Sequence, residues 1–489
     1  MAPVKFMCIW RKRKRKGRYI GRFREYMALI RRKRMEERKY LKWYNKVGYG
    51  SGDVAGNVVY ALLSSFVMIY LTDTVGLNAG IVGTLMMFSK LFDGVTDIFF
   101  GSMIDKTKSR MGKARPWMFW GYFGCAAALA SIFMIPANWG EGAKYAWFFI
   151  AYSLLNAVFY TANNIAYSAL TALVTKNGGE RVQMGSIRFM FAFGTSLLIQ
   201  AITVDFVKSM GGGAEGWRAV AIIYAVIGLA VNSLSVFSVK ELPPEELDEG
   251  AGKKEEGKKE KYSLGQAAQM LAANKFYIII CCVYILTQIY TATLNMGIYF
   301  MTYILGDASL LGVFSVAINV PLIAGLVMTP ILVKKMKGMY KINLAGYALA
   351  TLARVLVIVG GYLGNVPMML VFSGLAAIGM SPLQGDLNAL IAACSEYTFL
   401  TRHKRIDGTM FSCTSLGVKI GGGIGTALAG WMLAASGYIA NQPIQADSCI
   451  QMLYFMYLWI PMVINLIITL LLSKLKVEQA NAKLAGNRA

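Results

Sequence analysis

The stretch MFSKLFDGVTDIFFG, starting at Met87, sets two carboxylates inside an apolar run. Asp93 and Asp97 are four residues apart, so a helix presents them on one face, with Thr96 alongside and Lys90 one turn before Asp93. An ionised side chain deep in a bilayer costs about 2.5 to 3.5 kcal/mol on insertion scales, so each such charge needs a partner or a task. Two close carboxylates beside a hydroxyl can hold Na+ or Li+ through their oxygens. They can equally hold a proton, because each raises the proton affinity of the other. The blander alternative neutralises Asp93 with Lys90 and leaves Asp97 to pin a helix contact.

Lys419 poses the opposite problem. In FSCTSLGVKIGGGIGTALAG it lies beyond snorkelling reach of either end, among glycines that let another helix come close. Its ammonium needs an anion: Asp53, in GYGSGDVAGNVVYALL, is one candidate, an oxygen of a bound solute is another, and a fixed interhelical ion pair is the structural alternative. Asp386 and Arg354 are further charges within apolar runs, and no role for either follows from the sequence. The single histidine, His403, falls in a charged loop, and no nucleophile and base are spaced for catalysis, so an enzyme is the least supported class and no catalytic residue is expected. Cys125, Cys281, Cys282 and Cys413 sit in apolar runs without zinc-site spacing and read as packing residues.

The elements that must position these groups are apolar helices. Of the 489 residues, 56% are hydrophobic, and runs of membrane-crossing length recur from Gly48 to Lys476. Lipid offers no hydrogen bonds to the backbone, so such runs must be helical. Six spans fall at about 48–74, 79–104, 116–136, 145–173, 186–209 and 217–239, and six more at about 275–304, 309–334, 342–363, 366–393, 407–436 and 449–473. The division is a basic arm (1–46), an amino-terminal six-helix bundle (47–239), a charged linker (240–274), a carboxyl-terminal six-helix bundle (275–474) and a tail (475–489). The expected fold is therefore an all-α membrane protein with twelve helices in two bundles and a solute path between them. No residue-level repeat relates the halves by inspection.

The formal charge of +24 is distributed between the spans, in alternate loops. Lys106 to Arg115, Lys334 to Lys341 and Arg402 to Arg405 are basic, whereas the loops near Asn78, Asp307, Gly364 and Asn441 carry almost no Lys or Arg. The positive-inside rule then puts both termini in the cytoplasm. The arm RKRKRKGRYIGRFREYMALIRRKRMEERKYLKWY interleaves cations with aromatic and aliphatic residues, which suits the anionic leaflet or simply sets topology; no nucleic-acid recognition fold accompanies it. No removable secretory signal is expected, because the chain opens on basic residues.

Several blocks, in order, resemble the glycoside-pentoside-hexuronide:cation symporters of the major facilitator superfamily: YGSGDVAGN, KLFDGVTDIFFGSMIDKTKSRMGKARPW, YTANNIAYSALTALVTKNGGERVQMGSIRFMFA, NMGIYFMTYILGD and RIDGTMFSCTSLGVKIGGGIGTALAGWMLAASGY. The resemblance covers about Tyr44 to Tyr438. It implies a cation site at Asp93, Thr96, Asp97 and Thr161, with Na+ at Asp93 and Asp97 as the metal to expect, and a substrate site at Asp53, Asn164, Arg188 and Lys419. It also implies that the loop DKTKSRMGKARPW is a cytoplasmic gate element. The chain departs from the melibiose branch of that family. Asn164 replaces an acid, Ser168 a tryptophan, Thr96 an asparagine and Thr414 a glutamine, and Gly52 stands where a lysine would precede Asp53. Galactoside transport is thus not implied, and H+ is set beside Na+ as coupling ion.

The resulting expectation is a monomeric secondary transporter of a prokaryotic inner membrane that carries a sugar, glycoside or uronide with Na+ or H+ by alternating access. It needs no cofactor beyond the coupling cation, and its partners are a small solute and membrane lipid. The alternatives are an amphipathic, lipid-like solute, or a membrane sensor without transport.

Overall fold

The computed structural model describes residues 38–175, 177–243, 246, 269–336, 338–402, 407–440, 442 and 444–486. The basic arm up to residue 37, most of the linker, and His403 lie outside the described residues, as do the side chains of Cys413 and Thr414. The first half comprises α1 (Trp43–Thr74), α2 (Ala79–Lys106), α3 (Arg115–Ile132), α4 (Glu141–Val174), α5 (Gly178–Ser209) and α6 (Gly213–Ser238). The second comprises α7 (Lys275–Tyr303), α8 (Leu310–Met336), α9 (Met339–Tyr362), α10 (Val366–Arg402), α11 (Asp407–Ala435) and α12 (447–474), followed by a short α13 (Val477–Gly486).

Asparagines start four of these helices, among them α10, where Asn365 accepts from the Met368 N–H. Asn78, Asn177 and Asn274 each accept backbone N–H groups of the first turn, which would otherwise lack partners. Among the described residues, ten helices are long and apolar enough to cross a membrane, against the twelve spans read from the sequence. The two that fall short are α2 and α3. The first carries Lys90, Asp93 and Asp97, and the second opens on Arg115 and Pro116 and is diluted by Trp, Tyr and Gly.

The halves share one apolar core only at one end. Far from the chain termini, Leu71, Phe133, Tyr299, Phe300, Leu433 and Tyr457 belong to a single buried cluster that runs through both halves. Toward the termini this core divides. One cluster, with Tyr49, Met118, Leu170 and Val236, belongs to the first half, and another, with Tyr277, Tyr347, Leu390 and Leu472, belongs to the second. Glycines make the far-end junction close: a Cβ on Gly430 of α11 would lie 2.5 Å from the Ala79 carbonyl of α2, and one on Gly312 of α8 would lie 2.5 Å from Ala201 Cα of α5.

A structural repeat relates the halves where inspection of the sequence found none. Glu241, just after α6, accepts N–H bonds from Lys113 (2.7 Å), Ala114 (2.9 Å) and Arg115 (3.1 Å) at the start of α3. Glu478, just after α12, accepts from Met339 (2.9 Å) and Tyr340 (3.1 Å) at the start of α9. In both places a left-handed glycine, Gly112 at φ +109° and Gly338 at φ +146°, lies against the acid. An acid that follows the sixth helix thus caps the third helix in each half, where the helix dipole favours negative charge.

Candidate functional site

Helix α2 passes between α4 of its own half and α11 of the other. Its two acids face both. Lys419 of α11 lies 3.1 Å from Asp93 Oδ2, pairs directly with Asp97 Oδ2, and donates to the Asp93 carbonyl at 3.1 Å. The Thr161 hydroxyl of α4 donates to the other Asp93 oxygen, Oδ1, and sits 2.8 Å from the Asn156 carbonyl. Thr161 starts an ordinary helical stretch directly after a wide-turned segment, Leu154–Tyr160, which re-aims the side chains that follow it. Asp93 is thus brought to Thr161 directly and to Asp97 through Lys419. The Thr96 hydroxyl bonds the Asp93 carbonyl at 3.1 Å, the same oxygen that Lys419 reaches.

The partner of Lys419 is thus the acid pair of α2 and not Asp53. Asp53 instead takes the Arg188 guanidinium of α5 (Nε to Oδ2, 2.7 Å) and the Tyr167 hydroxyl of α4 (2.9 Å). The Arg188 guanidinium lies 4.1 Å above the Tyr167 ring, so the arginine is held by charge and by ring stacking together. Asn164, one turn past Thr161 on α4, is exposed, as is Ser168 one turn further on. Substrate-site residues named from the sequence accordingly divide: Asp53 and Arg188 form one node, Lys419 joins the acid node, and Asn164 lies open on the α4 face that carries Thr161.

Between the halves lies a cavity of about 750 Å³, open space included. Tyr60, Tyr152, Tyr160, Asn156, Gln288 and Asn295 line it, a mix of aromatic faces, hydroxyls and amides. Lys90 also lines it. Its ammonium donates to the Gly422 carbonyl (3.2 Å) and to Thr426 Oγ1 (2.8 Å) on α11, so the pairing with Asp93 considered from sequence is not formed. No group of three or more His, Cys, Asp and Glu side chains that could hold a metal ion occurs among the described residues.

The family model for the MFS/sugar transport proteins matches residues 48–479. The chain belongs to this family. It is a transporter, and its family is not one of enzymes. The isoprimeverose transporter of Lactiplantibacillus pentosus is 29% identical over 86% of this chain and 86% of its own length. The inner membrane symporter YicJ of Escherichia coli (strain K12) is 26% identical over 86% of this chain and 89% of its own. The solved D-xylose-proton symporter superposes with a TM-score of 0.59 at 15% identity, covering 88% of this chain and 97% of that one, which shows a shared major-facilitator fold.

One cluster of the transporter was not singled out from sequence. At the far end of α1, Asp73 accepts from the Thr72 hydroxyl at 2.6 Å, from the Tyr303 hydroxyl of α7 at 2.5 Å and from the Tyr438 hydroxyl just past α11. The Thr72 and Tyr299 hydroxyls meet at 2.8 Å. These bonds tie one half to the other where the shared core lies. An acid at a span end is ordinary in a sequence, so only the register between helices reveals it. The segment DKTKSRMGKARPW (105–117), which the resemblance implied as a gate element, meets Glu241 through the backbone N–H groups of Lys113, Ala114 and Arg115.

Proposed function

We propose that the protein is a cation-coupled symporter that moves a sugar-like solute by alternating access. The observation that carries this reading is the node at the junction of the halves, where Asp93 and Asp97 share one protein cation, Lys419, and Asp93 also takes the Thr161 hydroxyl. A mobile Na+ or H+ arriving at these carboxylates competes with Lys419. Its binding releases the bridge between α2 and α11, so ion occupancy and the relation of the two halves become one equilibrium. The names of the relatives, an isoprimeverose transporter and a symporter, support the solute class and the coupling. Tyrosine rings, hydroxyls and amides on this cavity offer a polyhydroxylated ring stacking faces and hydrogen-bond partners, beside the apolar side chains of Val59, Leu63, Met68, Met86 and Met296.

In the same reading α2 and α3 complete twelve spans, and the basic loops put the termini in the cytoplasm of a bacterial inner membrane. The divided core then opens the cavity inward, and the Asp73 cluster is the external seal. Asp53 and Arg188 with Asn164 line the solute's route, the first two locked to each other until a hydroxyl competes. The test is uptake into proteoliposomes of a panel of sugars, glycosides and uronides under separate Na+ and pH gradients. Accumulation driven by one gradient alone identifies the ion and the solute class; no accumulation of any panel member under either gradient contradicts symport.

A further inference from the structure

Arg354, to which the sequence assigned no role, stands in the middle of α9 with 1% of its surface exposed. Its guanidinium donates through Nη2 to the Tyr290 hydroxyl of α7 and lies 5.3 Å from the centre of that ring. Its Nε and Nη1 groups are buried and have no hydrogen-bond partner among the described residues. No carboxylate among those residues pairs with it either. The Tyr290 hydroxyl accepts from Arg354, and its own hydrogen meets no acceptor among the described residues.

The groups that could supply the missing charge from nearby do not reach it. Asp386 of α10 faces Asn343, which donates to both of its oxygens at 3.0 and 2.9 Å. Asn343 and Arg354 are eleven residues apart on α9, about 16 Å along the axis and beyond the length of an arginine side chain. Arg354 is not among the residues that line the cavity, so a carried solute does not meet it, and burial shuts out lipid headgroups. A tyrosine ring and hydroxyl ease a buried cation without cancelling it, and a charge left unpaired in a low-dielectric interior is strongly disfavoured. Water would satisfy the free donors and leave the charge in place.

We propose that the carboxyl-terminal bundle holds a small inorganic monoanion, chloride or another halide, against the Arg354 guanidinium. Nη1 stands beside Nη2 on that group and hence beside the Tyr290 hydroxyl; both have hydrogens to give, and a halide accepts from both. A monatomic ion of single charge is the class that fits. The surroundings are packed aromatic and aliphatic side chains, Tyr290, Tyr347, Ala350 and Ala353 among them, with no second cation to meet a larger charge. The ion joins α7 to α9 inside one half, so it is a resident part of the bundle and separate from the cation node between the halves.

Thermal unfolding of the purified full chain at constant Na+, with chloride exchanged for gluconate, reads this site without any solute and without a change at the α2 acids. Wild type is expected to melt about 3 °C higher for each tenfold rise in chloride above its dissociation constant, and bromide to replace chloride. Arg354→Gln, which removes the charge, is expected to melt at a temperature that no longer depends on the halide. Tyr290→Phe keeps the charge and loses the hydroxyl, and is expected to need more halide for the same shift. Should Arg354→Gln not fold, wild type alone decides: anomalous X-ray scattering from crystals grown in NaBr is expected to place bromide within hydrogen-bond distance of Arg354 Nη1. Wild-type melting that is independent of halide, an equal dependence in Arg354→Gln, or no bromide at Arg354 overturns the proposal.

Discussion

Lys419 sits on the carboxylate oxygens that a coupling cation would occupy, 3.1 Å from Asp93 Oδ2 and in direct contact with Asp97. Removing it therefore does two things at once. It strips two half-buried acids of their counter-charge, a change that costs about 3 to 5 kcal/mol for a buried pair, and it removes a competitor for the ion. Lys419→Gln is expected to melt lower than wild type in choline chloride and to regain more stability than wild type when NaCl is added or the pH is lowered. Thermal unfolding in matched salts checks this; equal responses of variant and wild type would mean that the acids are not an ion site. The spacing of Asp93 and Asp97 and the isolation of Lys419 were legible in the sequence. Their pairing was not, because the register between α2 and α11 depends on how Gly423 and Gly430 seat against α2, and residue types alone do not state it. For the same reason Asp53 was open to Lys419 on paper and is held by Arg188 in the fold.

At the scale of elements, most helix ends lie within about five residues of the spans read from the sequence, since apolar length is a direct consequence of lipid thickness, whereas α5 begins at Gly178 and not at about 186, and α10 runs on to Arg402 and not to about 393. What escaped was the capping that follows from tertiary contact. Glu241 and Glu478 lie far in sequence from the helices they cap, so no local pattern betrays them. Glu241→Ala and Glu478→Ala are each expected to destabilise their half by about 1 to 2 kcal/mol, the worth of a lost cap with donors left unmet. Denaturant unfolding followed separately in the two halves would measure it, and an unaltered midpoint for both contradicts the capping role. A third acid, Glu180, ties the segment before α1 to the start of α5. Burial pushes its pKa up, but the Thr175 hydroxyl, the Leu41 and Tyr40 N–H groups and Lys46 outweigh it and hold the carboxyl below the usual glutamate range. A depressed acid stabilises fully above its unfolded pKa of about 4.3, and the contribution is lost as pH falls through the lower folded value. Glu180→Gln should accordingly lower the melting temperature at pH 7 and narrow its gap to wild type in strong acid. A gap independent of pH would contradict that linkage.

For the whole molecule, the division of one core into two makes a single hinge-like architecture, closed at the far end and parted toward the termini. The Asp73 cluster holds the closed end, so weakening it should populate the opposite state. In a background with the native cysteines replaced, Asp73→Asn combined with Tyr303→Phe is expected to raise the external labelling rate of a cysteine placed at Asn295 in the cavity. Unchanged labelling would show that the seal lies elsewhere. An all-helical membrane fold could be read from the sequence, whereas the end at which the halves part could not, because it is a property of which apolar faces meet. The central claim is that the α2 acids hold a mobile ion whose binding drives accumulation. It is tested most directly by the accumulation ratio of the transported solute in proteoliposomes that contain Asp93→Asn, Asp97→Asn or the double variant under the driving ion gradient. The account predicts that the solute equilibrates but is no longer concentrated, with the ratio falling to about one as coupling is lost; a wild-type ratio in the double variant would contradict it.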